Sequence, residues 1–68
     1  MKTAANSARA KKNVLIVDDH PLLRDGLAKV INRQEDLAVC GEAGEARAAL
    51  AALAKCRPDV AIVDLSLD

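Results

Sequence analysis

Sixty-eight residues, 51% hydrophobic and 29% charged, make at most one small domain, and with no Phe, Tyr or Trp the core must come from Leu, Ile, Val and Ala. The net charge of zero is unevenly spread, since the first twelve residues carry Lys2, Arg9, Lys11 and Lys12 without an acid while the remainder carries six basic residues against ten acidic. No apolar stretch of the ~7–15 residues of a signal-peptide core follows the N-terminal charges, and no run approaches the ~18 of a membrane span, which sets the expectation of a cytoplasmic protein with no membrane partner.

Residues 1–12 are polar and Ala-rich and read as a disordered basic leader, since four charges without aromatic residues make a poor nucleic-acid arm. Val14 to Val17 is a short, β-branched-rich apolar run, the pattern of a central strand covered on both faces. Asp18-Asp19-His20-Pro21 breaks it, and Pro21 suits the first turn of a helix, where its missing N–H is not needed. Leu23, Leu27, Val30 and Ile31 then form one helical stripe, with Arg24, Asp25, Lys29 and Arg33 off it as a solvated face.

Leu37 to Cys40 is a second apolar run, and Gly41 marks a bend or a close backbone approach as the chain leaves it. The segment from Glu45 to Lys55 is rich in the strongest helix former, with Ala46, Ala49, Leu50 and Leu53 on one stripe. Pro58 pushes the residue before it out of the helical region and ends that helix. Val60 to Val63 is the third strand. Cys40 and Cys56 lack any metal-ligand spacing and read as reduced, small apolar residues. The glycines of Gly41-Glu-Ala-Gly44 do not have the spacing of a dinucleotide-binding loop.

The order β-α-β-α-β predicts parallel strands with right-handed crossovers. In such a sheet ligands sit beyond the carboxyl ends of the strands, where the strand order reverses. With the first strand between the second and third, Asp18, Asp19 and Asp64 meet at one edge. Three adjacent carboxylates repel unless a cation joins them, and oxygen donors select a hard ion such as Mg²⁺. The plainer readings are a loop carboxylate or helix cap for the aspartates, and for His20 a residue at a helix start in place of a metal ligand.

The segment from Val14 to Leu27, with Asp18-Asp19-His20-Pro21 and Arg24, resembles the opening of two-component response-regulator receiver domains of the NarL/FixJ type. Val39-Cys40-Gly41-Glu42-Ala43 is similar to their second strand, and Arg57-Pro58-Asp59 through Asp64-Leu-Ser-Leu to the approach to their phosphorylated aspartate. The resemblance implies a flavodoxin-like (CheY-like) α/β parallel sheet, truncated to β-α-β-α-β with local strand order 2-1-3, and a partial receiver over residues 13–68. It implies Asp64 as phosphoacceptor, and Asp18, Asp19, Asp64 and the backbone carbonyl of Ser66 as Mg²⁺ ligands. It further implies a sensor histidine kinase as phosphodonor, and DNA as partner only through an output domain outside this sequence.

The family's fourth-strand Ser/Thr, fifth-strand Lys and aromatic switch residue have no counterpart here, and Asp68 stands where many receivers carry Pro. A remnant or interaction fragment, self-associating through an uncovered sheet, is therefore the alternative. A Mg²⁺-dependent aspartyl-phosphate phosphatase needs a second carboxylate two residues after the first, where this chain has His20.

Overall fold

A computed structural model describes residues 11–65. The chain folds into β1 (Lys12–Asp18), α1 (Pro21–Asn32), β2 (Leu37–Ala43), α2 (Ala46–Cys56) and β3 (Val60–Asp64). The strands form one parallel sheet in the order β2-β1-β3, as expected, and these are the elements that open a flavodoxin-like α/β fold. β1 starts at Lys12, inside the segment read as a leader, and residues 1–10 of that segment lie outside the described residues. No helix among the described residues is long and apolar enough to cross a membrane.

β1 is the centre of the molecule because its apolar run has no polar face. Val14 and Ile16 point to one side, where they pack with Ala28 and Ile31 of α1, supported by Leu27, Leu37 and Val39. Leu15 and Val17 point to the other, where they meet Ala43, Ala49, Ala52 and Leu65. Alternation along a strand thus feeds two separate cores. β3 is pinned at its start, where Asp59 N–H donates to the Asn13 carbonyl at 2.8 Å and Asn13 N–H to Asp59 Oδ2 at 2.7 Å. All five residues of β3 are exposed.

The helical stripes are narrower than the sequence pattern suggests. In α1 Ala28 and Ile31 are buried, whereas Leu23 and Val30 are more than half exposed. In α2 the sheet is met by Ala49 and Ala52, and Leu50, expected on the buried stripe, is 68% exposed. The reason is proximity. A Cβ placed on Gly41 would lie 3.3 Å from Leu15 Cδ1 and 3.7 Å from Ala52 Cβ, so α2 approaches β2 closely enough that only small side chains fit between them.

The register of β2 carries an irregularity. Val14 pairs with Val39 but Leu15 pairs with Gly41, so Cys40 is an extra residue in the strand, a β-bulge. The bulge resets the alternation, and Leu37 and Val39 face α1 while Ala43 faces α2. It also sets Cys40 toward α2, where it is joined by a disulfide to Cys56 with a Cα–Cα separation of 5.7 Å. The reading of both cysteines as reduced thiols is corrected accordingly: bulge and close helix approach bring together two residues that lie 16 positions apart in the chain.

α2 ends before Pro58, as expected, but Arg57 leaves it in the left-handed region, at φ 47° and ψ 66°, and not in the extended region that a following proline favours, with its N–H on the Leu53 carbonyl at 3.1 Å. Left-handed backbone in a residue with a Cβ costs on the order of 1–2 kcal/mol.

Candidate functional site

The carboxyl ends of β1 and β3 lie side by side, with Asp18 the direct register partner of Asp64. The geometry follows from parallel strands of the same apolar length, each closed by an aspartate. Asp19 comes next in the chain, at the turn that leads through His20 into α1. Asp19 and Asp64 are exposed, but Asp18 is 2% exposed.

A buried carboxylate needs partners. His20 N–H donates to Asp18 Oδ1 at 2.8 Å, so Asp18 is held by the turn, and α1 has no side-chain N-cap bond. His20 Nδ1 stands 3.0 Å from the same oxygen and 2.9 Å from Asp19 Oδ1. Two acceptors facing one ring nitrogen place a proton on Nδ1. The backbone N–H of His20 is the chief influence lowering the Asp18 carboxyl below its ordinary range, against the opposing effect of burial and with further help from the His20 ring and from Arg24. The reciprocal effect raises His20, first through its hydrogen bond to Asp18, then through the charge of Asp19, with a smaller share from Asp64.

Arg24 is not part of the solvated face. Its Nη1 donates to the Asp18 backbone carbonyl at 2.7 Å, and its Nε lies 3.4 Å from Glu42 Oε1. The guanidinium thereby ties the end of β1 to the end of β2. Gly44 leaves the room for it, since a Cβ there would fall 2.8 Å from Nη1. A glycine just past the second strand, at the same sheet edge as Asp18, is the sequence signal that marks this position.

Asp18, Asp19 and His20 each offer one ligand atom within 4.8 Å of the others, a set able to hold a cation. Asp64 is not in that set, but stands beside it on β3 as an exposed carboxylate. Ser66 lies outside the described residues. Next to the acidic turn, Asp19, His20, Pro21, Leu22 and Leu23 line a shallow depression of about 440 Å³. The arrangement therefore combines a cation-binding turn, an accessible carboxylate and an adjoining apolar surface.

The chain is similar to known proteins. The family profile described as the response regulator receiver domain matches residues 14–68. The transcriptional regulatory protein YxjL of Bacillus subtilis is 40% identical over 57 residues, covering 84% of this chain and 26% of that protein. The DNA-binding transcriptional activator DevR/DosR of Mycobacterium tuberculosis is 43% identical over 54 residues, 79% of this chain and 25% of the relative. A protein-glutamate methylesterase/protein-glutamine glutaminase of Pyrococcus horikoshii is 42% identical over 57 residues, 84% of this chain and 16% of the relative. The chain thus spans about a quarter or less of the length of these relatives. No solved structure matches it.

Proposed function

Because this chain belongs to the response regulator receiver domain family, we propose that it accepts a phosphoryl group on Asp64 from the phosphohistidine of a sensor kinase and so serves a two-component relay that controls transcription. The observation that carries the reading is the register pairing of Asp18 with Asp64 at the carboxyl edge of the sheet, with Asp19 and His20 in the turn beside it. Asp64 is exposed, so its carboxylate is open to an incoming donor. In the transfer one carboxylate oxygen forms the new bond to phosphorus while the bond to the donor imidazole breaks, and the leaving nitrogen takes up a proton.

The donor set fits a hard divalent cation, since two of the three clustered residues are carboxylates with a third carboxylate one strand away. Asp18, Asp19, Asp64 and the backbone carbonyl of Ser66 would hold Mg²⁺. When bound, that ion neutralises phosphoryl oxygens and aligns them for in-line displacement. The protein residues supply the rest: His20 N–H and Arg24 fix Asp18 from two directions, and Asp18 stands in register with Asp64 of β3.

The chain is a phosphoacceptor and not itself an enzyme in this reading, and it works in the cytoplasm, where a kinase docks over the acidic edge. Contact with DNA belongs to an output domain of the kind its transcriptional relatives are named for. The test is incubation of the intact protein that carries this receiver with Mg²⁺ and acetyl phosphate, followed by intact-mass measurement. One phosphoryl group is expected on the unaltered protein and none on Asp64→Asn. An unchanged phosphoryl gain in Asp64→Asn refutes the assignment.

A further inference from the structure

We propose that Cys40 and Cys56 form a reversible thiol–disulfide site, exchanging with low-molecular-weight thiols and disulfides, which fastens α2 to the sheet when closed. Three independent features build it. The β-bulge places Cys40 as the unpaired residue of β2 on the side facing α2. Gly41 beside it keeps the helix near, because a Cβ there would come within 3.5 Å of Cys56 Sγ. α2 itself has no buried residue and rests on the sheet through Ala49 and Ala52, and the covalent link adds to these few contacts.

The site is accessible to a small reagent. Both cysteines are half-buried, and with Gly41, Ala48, Ala52 and Lys55 they line an open cleft of about 310 Å³. The chain has two cysteines in all, so neither has a competing partner within the chain. Closure takes two exchange steps. One cysteine thiolate attacks a sulfur of a small disulfide such as oxidised glutathione, releasing one glutathione thiolate and forming a mixed disulfide. The second cysteine thiolate then attacks the protein sulfur of that mixed disulfide and releases the other glutathione. Two electrons pass from the cysteine pair to the small disulfide, with loss of both thiol protons from the protein. A thiol-rich compartment runs the same steps backwards, which is why such bonds are transient there.

A cross-link over a loop of this size shifts the folding equilibrium by about 100-fold, and by thermodynamic reciprocity folding favours closure by the same factor. The chain is equilibrated over a range of reduced to oxidised glutathione, in buffer and in urea, then quenched in acid, alkylated with N-ethylmaleimide and weighed. The expected result is a monomer with two adducts under reducing conditions and none under oxidising conditions. The midpoint in buffer should lie at a glutathione ratio about 100-fold more reducing than in urea. The doubly substituted Cys40→Ser/Cys56→Ser chain should unfold at the same urea concentration with and without dithiothreitol. Two free thiols at every ratio, disulfide-linked dimers in place of the closed monomer, coincident midpoints in buffer and urea, or a dithiothreitol response that survives in the double variant would each overturn the proposal.

Discussion

Ile16→Ala tests whether β1 carries the stability that its burial implies. Ile16 is 0% exposed and packs on the α1 side of the sheet with Val14, Ala28 and Ile31. Truncation to Ala removes about three methylene equivalents at ~0.8 kcal/mol each, or roughly 2.4 kcal/mol of transfer free energy. The surrounding side chains are anchored to the sheet and to α1, so part of the space stays open. A residual cavity on the order of 50 Å³ at ~24 cal/mol per Å³ adds about 1 kcal/mol. The sum, roughly 3–4 kcal/mol, is a large share of the ~0.05–0.15 kcal/mol per residue that a domain retains. The natural control is Leu22→Ala, a change of the same class at a residue that is 89% exposed on α1, with an expected effect within about 0.5 kcal/mol. Urea unfolding followed by far-ultraviolet circular dichroism at low micromolar protein reads both variants. Equal midpoints for Ile16→Ala and the unaltered chain, or an equal loss in both variants, would refute the assignment of the core to β1.

The His20 and Asp18 shifts predict a plateau in stability. His20 is raised above its ordinary 6.5, so its contribution is complete below that pH and lost as pH rises through the raised value, whereas Asp18 is lowered from 3.8, so its contribution is present above that pH and lost on acidification. Nuclear magnetic resonance titration of the imidazole should give a midpoint above 6.5 that falls in Asp19→Asn, and a midpoint at or below 6.5 contradicts the ring's placement between two carboxylates. Arg24→Ala should cost about 1.5–3 kcal/mol by removing the charge-assisted bond to the Asp18 carbonyl, and denaturation showing a surface-like effect would return Arg24 to the solvated face.

The parts of this fold legible in the sequence are those set by simple periodicity. Val14 to Val17 announces a strand buried on both faces, and Pro58 announces the end of α2. The strand order was legible only through the resemblance to receiver domains, which implies 2-1-3. The depth of each helix was less legible, because hydrophobic spacing does not tell which apolar residues touch the sheet. On α2 a glycine in the facing strand lets alanines do so while Leu50 and Leu53 stay outside. The bulge at Cys40 has no signature in alternation, since Leu37 to Cys40 reads as an unbroken run, and the disulfide was missed with it. At the site, the aspartates stood out by their positions after apolar runs. Arg24 did not, because a charged residue off the apolar stripe ordinarily faces water, and its carbonyl partner is backbone, which sequence does not display.

The central place of β1 determines the order in which the molecule can assemble. β2 follows β1 through a single helix, but β3 joins β1 only by closing a loop that includes every other element, as the Asn13–Asp59 bonds across 46 positions make plain. Pairings of such long sequence separation form late and slowly, because the chain entropy of closure is lost before any contact compensates for it. During synthesis from the N-terminus, the turn from Asp18 to His20 emerges first and can close on itself while β3 is still being made. Asp64 joins that turn only when β3 docks, so a nascent or partly unfolded chain carries the acidic turn without the carboxylate that stands in register with it.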